Sequence, residues 1–213
     1  MGRIYDATWG RGFSAVYDAL LKATEDAGLR EMRCQTLAEA RGRTIDVGAG
    51  TGANLGLYPE AVTELVLSEP DPHMGKRLRR RAAETGSETE IVAAPAERLP
   101  FEDSSFDTAV FTLVLCTVPD PRAALTEAAR VLKPGGKLLY VEHVRSEDPG
   151  AARWQDRFER PWRFFADGCH CNRDTVANIE ASPLTLDELQ RGELPKSPPI
   201  TKPLVWGSAS LAA

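Results

Sequence analysis

Short apolar segments alternate with helical segments along most of this chain, and this alternation limits the fold more than any other feature. The segments expected to form strands are 44–48, 65–68, 90–94, 107–116 and 136–143. The fourth, DTAVFTLVLC, is almost wholly apolar, which is typical of a central strand buried on both faces. Between the strands lie helical patterns, including one that Asp71 caps and that reaches Glu84, and another over 121–132. The alternation predicts an α/β fold with a parallel sheet and helices on both faces.

The composition narrows the possible partners. A length of 213 residues fits one domain over 1–213, and a net charge of −5 argues against a general nucleic-acid binder. No stretch approaches 18 apolar residues, and the start of the chain lacks the apolar region of a signal peptide. We therefore expect a cytoplasmic protein with a small-molecule partner and no integral membrane segment. The sequence leaves the oligomeric state open.

The first predicted strand runs into a glycine-rich loop, DVGAGTGAN. Ligands of parallel α/β sheets bind beyond the carboxyl ends of the strands. Gly48, Gly50 and Gly52 allow a tight turn there and let a ligand approach the backbone. Glu69 ends the second strand, 21 residues beyond Gly48, where its carboxylate can accept hydrogen bonds from a ribose diol. The loop predicts a nucleotide-type ligand, with the following helix starting near Ala53.

Two ligand classes fit this loop. Gly48, Gly50 and Ala53 satisfy the pattern of dinucleotide enzymes, so a nicotinamide oxidoreductase is one interpretation. Gly52 adds a third glycine, and Asp46 precedes Gly48 by two residues. A carboxylate at that point repels a pyrophosphate but attracts a cationic amino group. These details favour a nucleoside that carries an amino acid.

With these residues in place, the chain resembles the class I S-adenosylmethionine (SAM) methyltransferases from about Tyr5 to the end. The similar segments, in chain order, are TIDVGAGTGAN, LVLSEPD, APAERLPFEDSSFDTAV and EAARVLKPGGKLLYVEH. The resemblance implies a Rossmann-like fold with seven mostly parallel strands, the last antiparallel, for which PLVWGSAS (203–210) is the candidate. It also implies SAM as the cofactor and S-adenosylhomocysteine as its product. The nicotinamide interpretation leaves LKPGG and AERLPF unexplained.

The resemblance also implies the residues that contact the cofactor. They are Asp46, Gly48, Gly50, Gly52, Asn54, Glu69, Pro70, Ala96, Glu97, Thr112 and Leu113. One position departs from the family pattern. Many members carry Asp where this chain has Pro95, and Glu97 is the nearest acid that can meet the adenine amine.

Within that superfamily, three segments resemble the thiol S-methyltransferases of animals and their bacterial relatives. These segments are FTLVLCTVPDP, LLYVEHV and WQDRF followed by DGCHCNRDT. The animal enzymes carry an N-terminal hydrophobic anchor that this chain does not show. The resemblance implies methyl transfer to a small, fairly apolar acceptor, with a thiol first. A lipid-like amine, a quinone-type carbon, and a SAM-binding protein without turnover remain alternatives.

Candidate acceptor-side residues follow from the chemistry of thiols. The thiolate is the nucleophile, and histidine can raise its population near neutral pH. His143 ends the fifth strand and His170 lies in FADGCHCNRDT, so both are predicted to be catalytic. The predicted substrate pocket consists of Tyr5, Trp9, Cys116, Trp154, Phe158, Cys169 and Asp174. Asp174 either orients a histidine or caps a helix that starts at Thr175.

Two aromatic-rich segments flank this pocket in the prediction: a helical lid over 1–40 and an acceptor-side insertion over 148–175. Two alternatives to a lid remain. Both segments pack on the domain, or the second segment, which also carries arginines, forms an interfacial helix on a membrane. Pro161 is expected to break the second segment into two short helices. The cysteines, at 34, 116, 169 and 171, provide only one close pair, so no metal site and no disulfide are expected.

Overall fold

A computed structural model describes residues 21–86 and 89–212 of the chain. Its strands form one sheet of seven, in the spatial order β3-β2-β1-β4-β5-β7-β6. The strands are β1 Gly42–Val47, β2 Val62–Ser68, β3 Glu90–Val92, β4 Phe106–Thr112, β5 Leu132–His143, β6 Leu184–Glu193 and β7 Pro203–Leu211. Only β7 runs antiparallel to its neighbours, β5 and β6. The predicted mostly parallel sheet with an antiparallel last strand is confirmed.

Helices connect the strands and begin at well-defined caps. They are α1 Arg30–Leu37, α2 Pro72–Glu84, α3 Pro121–Val131, α4 Pro149–Phe165 and α5 Thr175–Glu180, with a π-helical stretch Glu25–Leu29 before α1 and a 3-10 turn Pro199–Thr201. α2, α3 and α4 each start with a proline directly after a capping aspartate, because the missing N–H of proline costs nothing in the first turn. The predicted cap Asp71 accepts hydrogen bonds from the backbone of the first turn, which confirms it.

Helices pack on both faces of the sheet, as predicted. Alternate residues of the central strands point to opposite faces. Ala109 and Phe111 of β4 belong to the main core with α3 and α5, whereas Val110 packs with Leu37 of α1 and Leu139 of β5. The central strands are therefore buried on both sides, which explains why their sequences are almost continuously apolar.

The fourth strand is shorter than the sequence predicts. β4 ends at Thr112 rather than Cys116, since Leu113 adopts a left-handed conformation (φ 59°) that turns the chain out of the sheet. The Leu113 N–H still donates to the Val141 carbonyl of β5 at 2.8 Å. Cys116 thus lies in the loop after β4, and we call residues 113–118 the β4 loop.

Two helix predictions are also wrong. Residues 51–56 form consecutive turns instead of a helix, and Gly56 within them has a positive φ of 77°. α4 continues through Pro161, because a proline removes one backbone hydrogen bond and the rest of a 17-residue helix remains. β6 was not predicted from the sequence, because its mixed polar pattern is that of an edge strand with little burial.

Buried polar groups hold the β4 loop against β5. Glu142, fully buried, accepts hydrogen bonds from the backbone N–H groups of Val114 at 2.8 Å, Leu115 at 2.9 Å and Cys116 at 3.3 Å. From the other side, Arg173 donates to two carbonyl oxygens of the loop at 2.6 Å each. The loop has no regular secondary structure, and these side chains satisfy its buried backbone groups instead.

This arrangement predicts the effect of Glu142→Gln. The substitution removes an acceptor oxygen and turns amide protons towards backbone N–H groups, so buried donors lose their partner. We expect the free energy of unfolding to fall by about 1–3 kcal/mol in urea titrations. Glu147→Gln is the matched control, because Glu147 pairs with Arg191 at the surface and its loss should cost less than about 0.5 kcal/mol. Equal effects of the two substitutions would contradict this account of the loop.

Candidate functional site

The three loop glycines serve different purposes. All have positive φ values, 66° for Gly48, 58° for Gly50 and 87° for Gly52. A Cβ on Gly48 would meet the Val114 side chain at 2.8 Å, and one on Gly52 would meet Leu55 at 2.7 Å, so packing requires both glycines. At Gly50 the nearest heavy atom is a backbone oxygen at 4.0 Å. Gly50 therefore presents open backbone to the space above the loop.

A cleft lies over this loop. Its lining consists of Arg33, Gly48, Ala49, Gly50, Thr51, Ala53, Asn54, Thr112 and Leu113. Five of these residues were predicted from the sequence, whereas Arg33 and the residues that flank the glycines, Ala49, Thr51 and Ala53, were not. The cleft lies beyond the carboxyl ends of β1 and β4, where parallel sheets bind their ligands.

A buried carboxylate lies beneath the cleft. One oxygen of Asp46 accepts hydrogen bonds from the Tyr58 hydroxyl at 2.7 Å and the Asn54 amide at 3.0 Å. The other oxygen, Oδ1, is buried and has no partner among the described residues. Burial raises the pKa of Asp46, while Tyr58, Asn54 and the nearby Arg33 lower it. An unpartnered carboxylate oxygen at this depth suits a cationic group.

Arg33 connects α1 to this carboxylate. Its guanidinium donates to the Asn54 side-chain oxygen at 3.0 Å and to Glu25 at 3.1 Å, and the residue is 2% exposed. The signal in the sequence is its position, since Arg33 lies four residues after Leu29 and four before Leu37 on the buried face of the helix. A charged residue in the centre of an apolar helix face needs a buried partner.

Glu69 lies at the carboxyl end of β2 and bridges the two loops there. One carboxylate oxygen accepts the Gly50 N–H and the other the Asp71 N–H, both at 2.8 Å. Burial raises its pKa to about 7 against the lowering effect of these hydrogen bonds. Each oxygen has a further lone pair, so the carboxylate can also accept from a diol.

The other predicted cofactor residues lie around this centre. The Thr112 hydroxyl accepts a hydrogen bond from Asn54 at 2.9 Å, and Leu113 lines the cleft beside it. Ala96 is buried, Pro70 is exposed, and Glu97 accepts the Asp120 N–H at 3.1 Å. Together the open Gly50 backbone, the unpartnered oxygen of Asp46 and the Glu69 carboxylate fit a nucleoside with a cationic amino-acid tail. This donor set fits SAM.

A second group of reactive side chains lies at the end of β5. The Nε2 atom of His143 is 2.9 Å from the Cys169 Sγ, and Cys116 completes a cluster whose ligand atoms all lie within 4.8 Å of one another. We call these three residues the thiol–imidazole cluster. Cys116 is 2% exposed, His143 5% and Cys169 8%. The His143 Nδ1 is buried without a hydrogen-bond partner in the described part of the chain.

The two cysteines of the cluster affect each other's ionisation. A hydrogen bond from the Cys169 thiol, helped by His143, lowers the pKa of Cys116 well below the usual value. The same contact with Cys116, together with burial, raises the pKa of Cys169. The first proton lost therefore belongs to the pair of thiols rather than to one of them.

The side chains of His170 and Asp174 make their contacts outside this cluster. The His170 ring lies 2.9 Å from the Glu159 carboxylate of α4, while its backbone N–H donates to the Cys116 carbonyl at 2.8 Å. Burial lowers the pKa of His170, and Glu159 opposes that effect. Asp174 caps α5 through a hydrogen bond from the Ala177 N–H at 3.0 Å. Of the two roles predicted for Asp174, the structure thus shows helix capping.

The aromatic residues of α4 face away from the core. Trp154 is 58% exposed and stacks on Phe158, which is 40% exposed, with ring centroids 5.3 Å apart. Trp162 instead donates its indole N–H to the Cys169 Sγ at 3.2 Å. Tyr5, Trp9 and the first half of the predicted lid lie outside the described residues. No helix within residues 21–86 and 89–212 is long and apolar enough to cross a membrane.

Comparison with known proteins identifies the family. The sequence model of the methyltransferase domain matches residues 45–140. Thiol S-methyltransferase TMT1B of Rattus norvegicus is 40% identical over 151 residues, which are 68% of this chain and 61% of that protein's length. The human TMT1B is 38% identical over 176 residues, or 80% of this chain and 68% of the human protein. This chain thus spans only about two thirds of each relative.

Structural comparison agrees on the fold. The crystal structure of the Bacillus subtilis methyltransferase YcgJ superimposes with a TM-score of 0.69 at 20% sequence identity, covering 87% of this chain and 98% of that one. The glycine loop, Asp46 and Glu69 lie at the carboxyl ends of β1 and β2, and parallel sheets bind ligands beyond such ends. The chain belongs to the class I SAM-dependent methyltransferases, and S-adenosylmethionine is its cofactor.

Proposed function

We propose that this protein methylates a small thiol. The observation that carries the proposal is the buried thiol–imidazole cluster, which shares the β4 loop with the cofactor cleft. Leu113 of that loop lines the cleft, and Cys116 lies three residues further along. The similarity to two thiol S-methyltransferases supports the same choice of acceptor.

Residues of this chain would contact SAM at both its amino-acid part and its adenosine part. We assign Asp46 to the cationic amino group, Glu69 to the ribose hydroxyls, and the Gly50 backbone to close contact between them. Glu97 and Ala96 are assigned to the adenine side. When bound, SAM supplies a methyl group that its sulfonium already activates, so the protein has to align the acceptor and exclude water. Such alignment is worth about 7–11 kcal/mol.

Generation of the thiolate is the step that we assign to the thiol–imidazole cluster. A free thiol has a pKa of about 8.5, so a proton acceptor raises the reactive fraction at neutral pH. In the metal-free protein, the unpartnered Nδ1 of His143 is the atom that we assign to accept this proton. His170 is assigned a positioning role, since its backbone N–H holds the Cys116 carbonyl and its ring pairs with Glu159.

The Glu69 carboxylate predicts a pH-dependent affinity for SAM. Its pKa is about 7, and only the ionised form accepts hydrogen bonds from both ribose hydroxyls. The contribution of Glu69 to affinity should therefore be nearly full at pH 8 and above, and it should be lost as the pH falls through 7. About one tenth of the carboxylate is ionised at pH 6 and nine tenths at pH 8, so Glu69 by itself should raise the Kd about tenfold from pH 8 to pH 6.

Calorimetry on the wild type and Glu69→Gln tests this. The amino group of SAM also titrates near pH 8, so the difference between the two proteins isolates Glu69. The variant should bind more weakly at pH 8 and show little of the wild-type slope. Glu64→Gln, an exposed carboxylate on the same strand, should keep that slope. A slope that survives in Glu69→Gln would exclude Glu69 as its source.

The thiol proposal predicts which acceptors turn over. Purified protein is mixed with SAM and a panel of small thiols, amines, phenols and catechols, and S-adenosylhomocysteine is measured by mass spectrometry. We expect turnover with thiols, and a fall in kcat/KM of about 100-fold or more in His143→Ala. His73→Ala is the control and should leave the rate unchanged, because His73 belongs neither to the cleft lining nor to the thiol–imidazole cluster. Turnover of amines or phenols but not thiols would refute the proposal.

A further inference from the structure

We propose that Cys116, His143 and Cys169 form a binding site for one zinc ion. These ligands come from the β4 loop, the end of β5 and the turn after α4. They are the one group of three or more possible ligands that converges within residues 21–86 and 89–212. The fold therefore brings together a ligand set that the sequence keeps apart.

The distances suit a tetrahedral ion. Zinc bonds sulfur at about 2.3 Å and imidazole nitrogen at about 2.0–2.1 Å, which places ligand atoms about 3.5–3.8 Å from one another. The three ligand atoms of the cluster already lie within 4.8 Å of each other. His143 Nε2 and Cys169 Sγ, now 2.9 Å apart, would separate by about 0.6 Å.

The donor chemistry selects the kind of metal. Two thiolates and one imidazole are soft to borderline ligands, which favour zinc over calcium or magnesium. Structural zinc sites take four protein ligands, whereas sites with three leave one position for water or substrate. Three ligands here thus indicate a site with an exchangeable position rather than a purely structural one.

The surroundings of the sulfurs resemble those of a metal site. The Trp162 indole N–H donates to Cys169 Sγ at 3.2 Å, and the Thr117 hydroxyl lies 3.4 Å from Cys116 Sγ. Outer groups of this kind orient thiolate ligands and stabilise their charge. Glu142 fixes the β4 loop through its backbone and so holds Cys116 in place.

The neighbouring cysteine provides a contrast. Cys171 forms the only close cysteine pair in the sequence with Cys169, yet its thiol points to the Gln155 carbonyl at 3.6 Å. The two residues thus face different parts of the fold. The spacing of cysteines in the sequence therefore does not indicate this metal site. Because the Cys171 thiol lies outside the cluster, Cys171 is a matched control.

A bound zinc ion would change how the acceptor is activated, and this consequence rests on the proposed function. On metal binding, Cys116 and Cys169 release their thiol protons to solvent, and no electrons are transferred. A thiol acceptor that takes the fourth position loses its proton to solvent as a zinc thiolate. Its sulfur then bonds the methyl carbon as that carbon's bond to the cofactor sulfur breaks. His143 serves as a ligand in this state.

Cobalt titration tests the site directly. The full chain is stripped of metal with a chelator under reducing conditions and titrated with Co²⁺, whose tetrahedral thiolate complexes give charge-transfer and intense d–d absorption bands. We expect one Co²⁺ per chain, displaced by Zn²⁺. Cys169→Ser and Cys116→Ser should each weaken Co²⁺ binding by more than about 100-fold, above the range typical of changes to outer ligands. Cys171→Ala should leave the spectrum and affinity unchanged.

Folding and function are checked separately. Each variant must retain SAM binding, which shows that it is folded, since the cofactor residues are unaltered. Absence of the tetrahedral cobalt spectrum in folded wild type, or equal binding by Cys169→Ser and wild type, would overturn the site. Thiol turnover by metal-free protein that zinc does not increase would overturn the activating role and leave the proposed function intact. A cobalt site without thiol turnover would leave the metal site intact and overturn the proposed function, and the activating role with it.

Discussion

The fully buried carboxylate of Glu142 fixes the β4 loop, and residues of both candidate sites lie on that loop. The β4 loop has no regular secondary structure, and the Glu142 oxygens take the place of a sheet partner for three of its backbone N–H groups. At one end of that loop, Leu113 lines the cofactor cleft, and further along Cys116 belongs to the thiol–imidazole cluster. The relative position of the two sites therefore depends in large part on this side chain of β5, a strand that ends one residue later at His143.

A second buried network joins the cofactor cleft to the N-terminal helix. Arg33 of α1 contacts Asn54, which in turn contacts Asp46 and Thr112. Burial of Asp46 is costly for an ionised carboxylate, and the positive charge of Arg33 reduces that cost. A bound amino group at the free oxygen of Asp46 would reduce it further. Cofactor binding and the docking of α1 are thus expected to stabilise each other.

Much of the fold could be predicted from the sequence because periodicity reports burial directly. The central strands are apolar on both faces, and Asp71 precedes its helix in the expected capping position. The end of β4 could not be predicted, because the apolar run continues through Val114 and Leu115, which are buried in a loop rather than a strand. Leucine normally avoids a positive φ, so the residue type at position 113 does not indicate that the chain turns there.

In the candidate site, too, some residues could be predicted from the sequence and others could not. Asp46, Gly50 and Glu69 lie at fixed positions relative to strand ends, so their spacing in the sequence suffices to find them. Arg33 and Glu142 act through the packing of distant elements, and no local pattern reveals their partners. The convergence of Cys116, His143 and Cys169 depends likewise on three separate elements meeting at one sheet edge.

The most direct test of the account is a crystal structure with S-adenosylhomocysteine and a small thiol bound. We predict the cofactor product over the glycine loop, with its amino group at Asp46 and its ribose at Glu69. The acceptor sulfur should lie beside the thiol–imidazole cluster, within contact of His143 or of a metal that His143 binds. A thiol bound elsewhere, with Cys116, His143 and Cys169 turned away from it, would contradict the account.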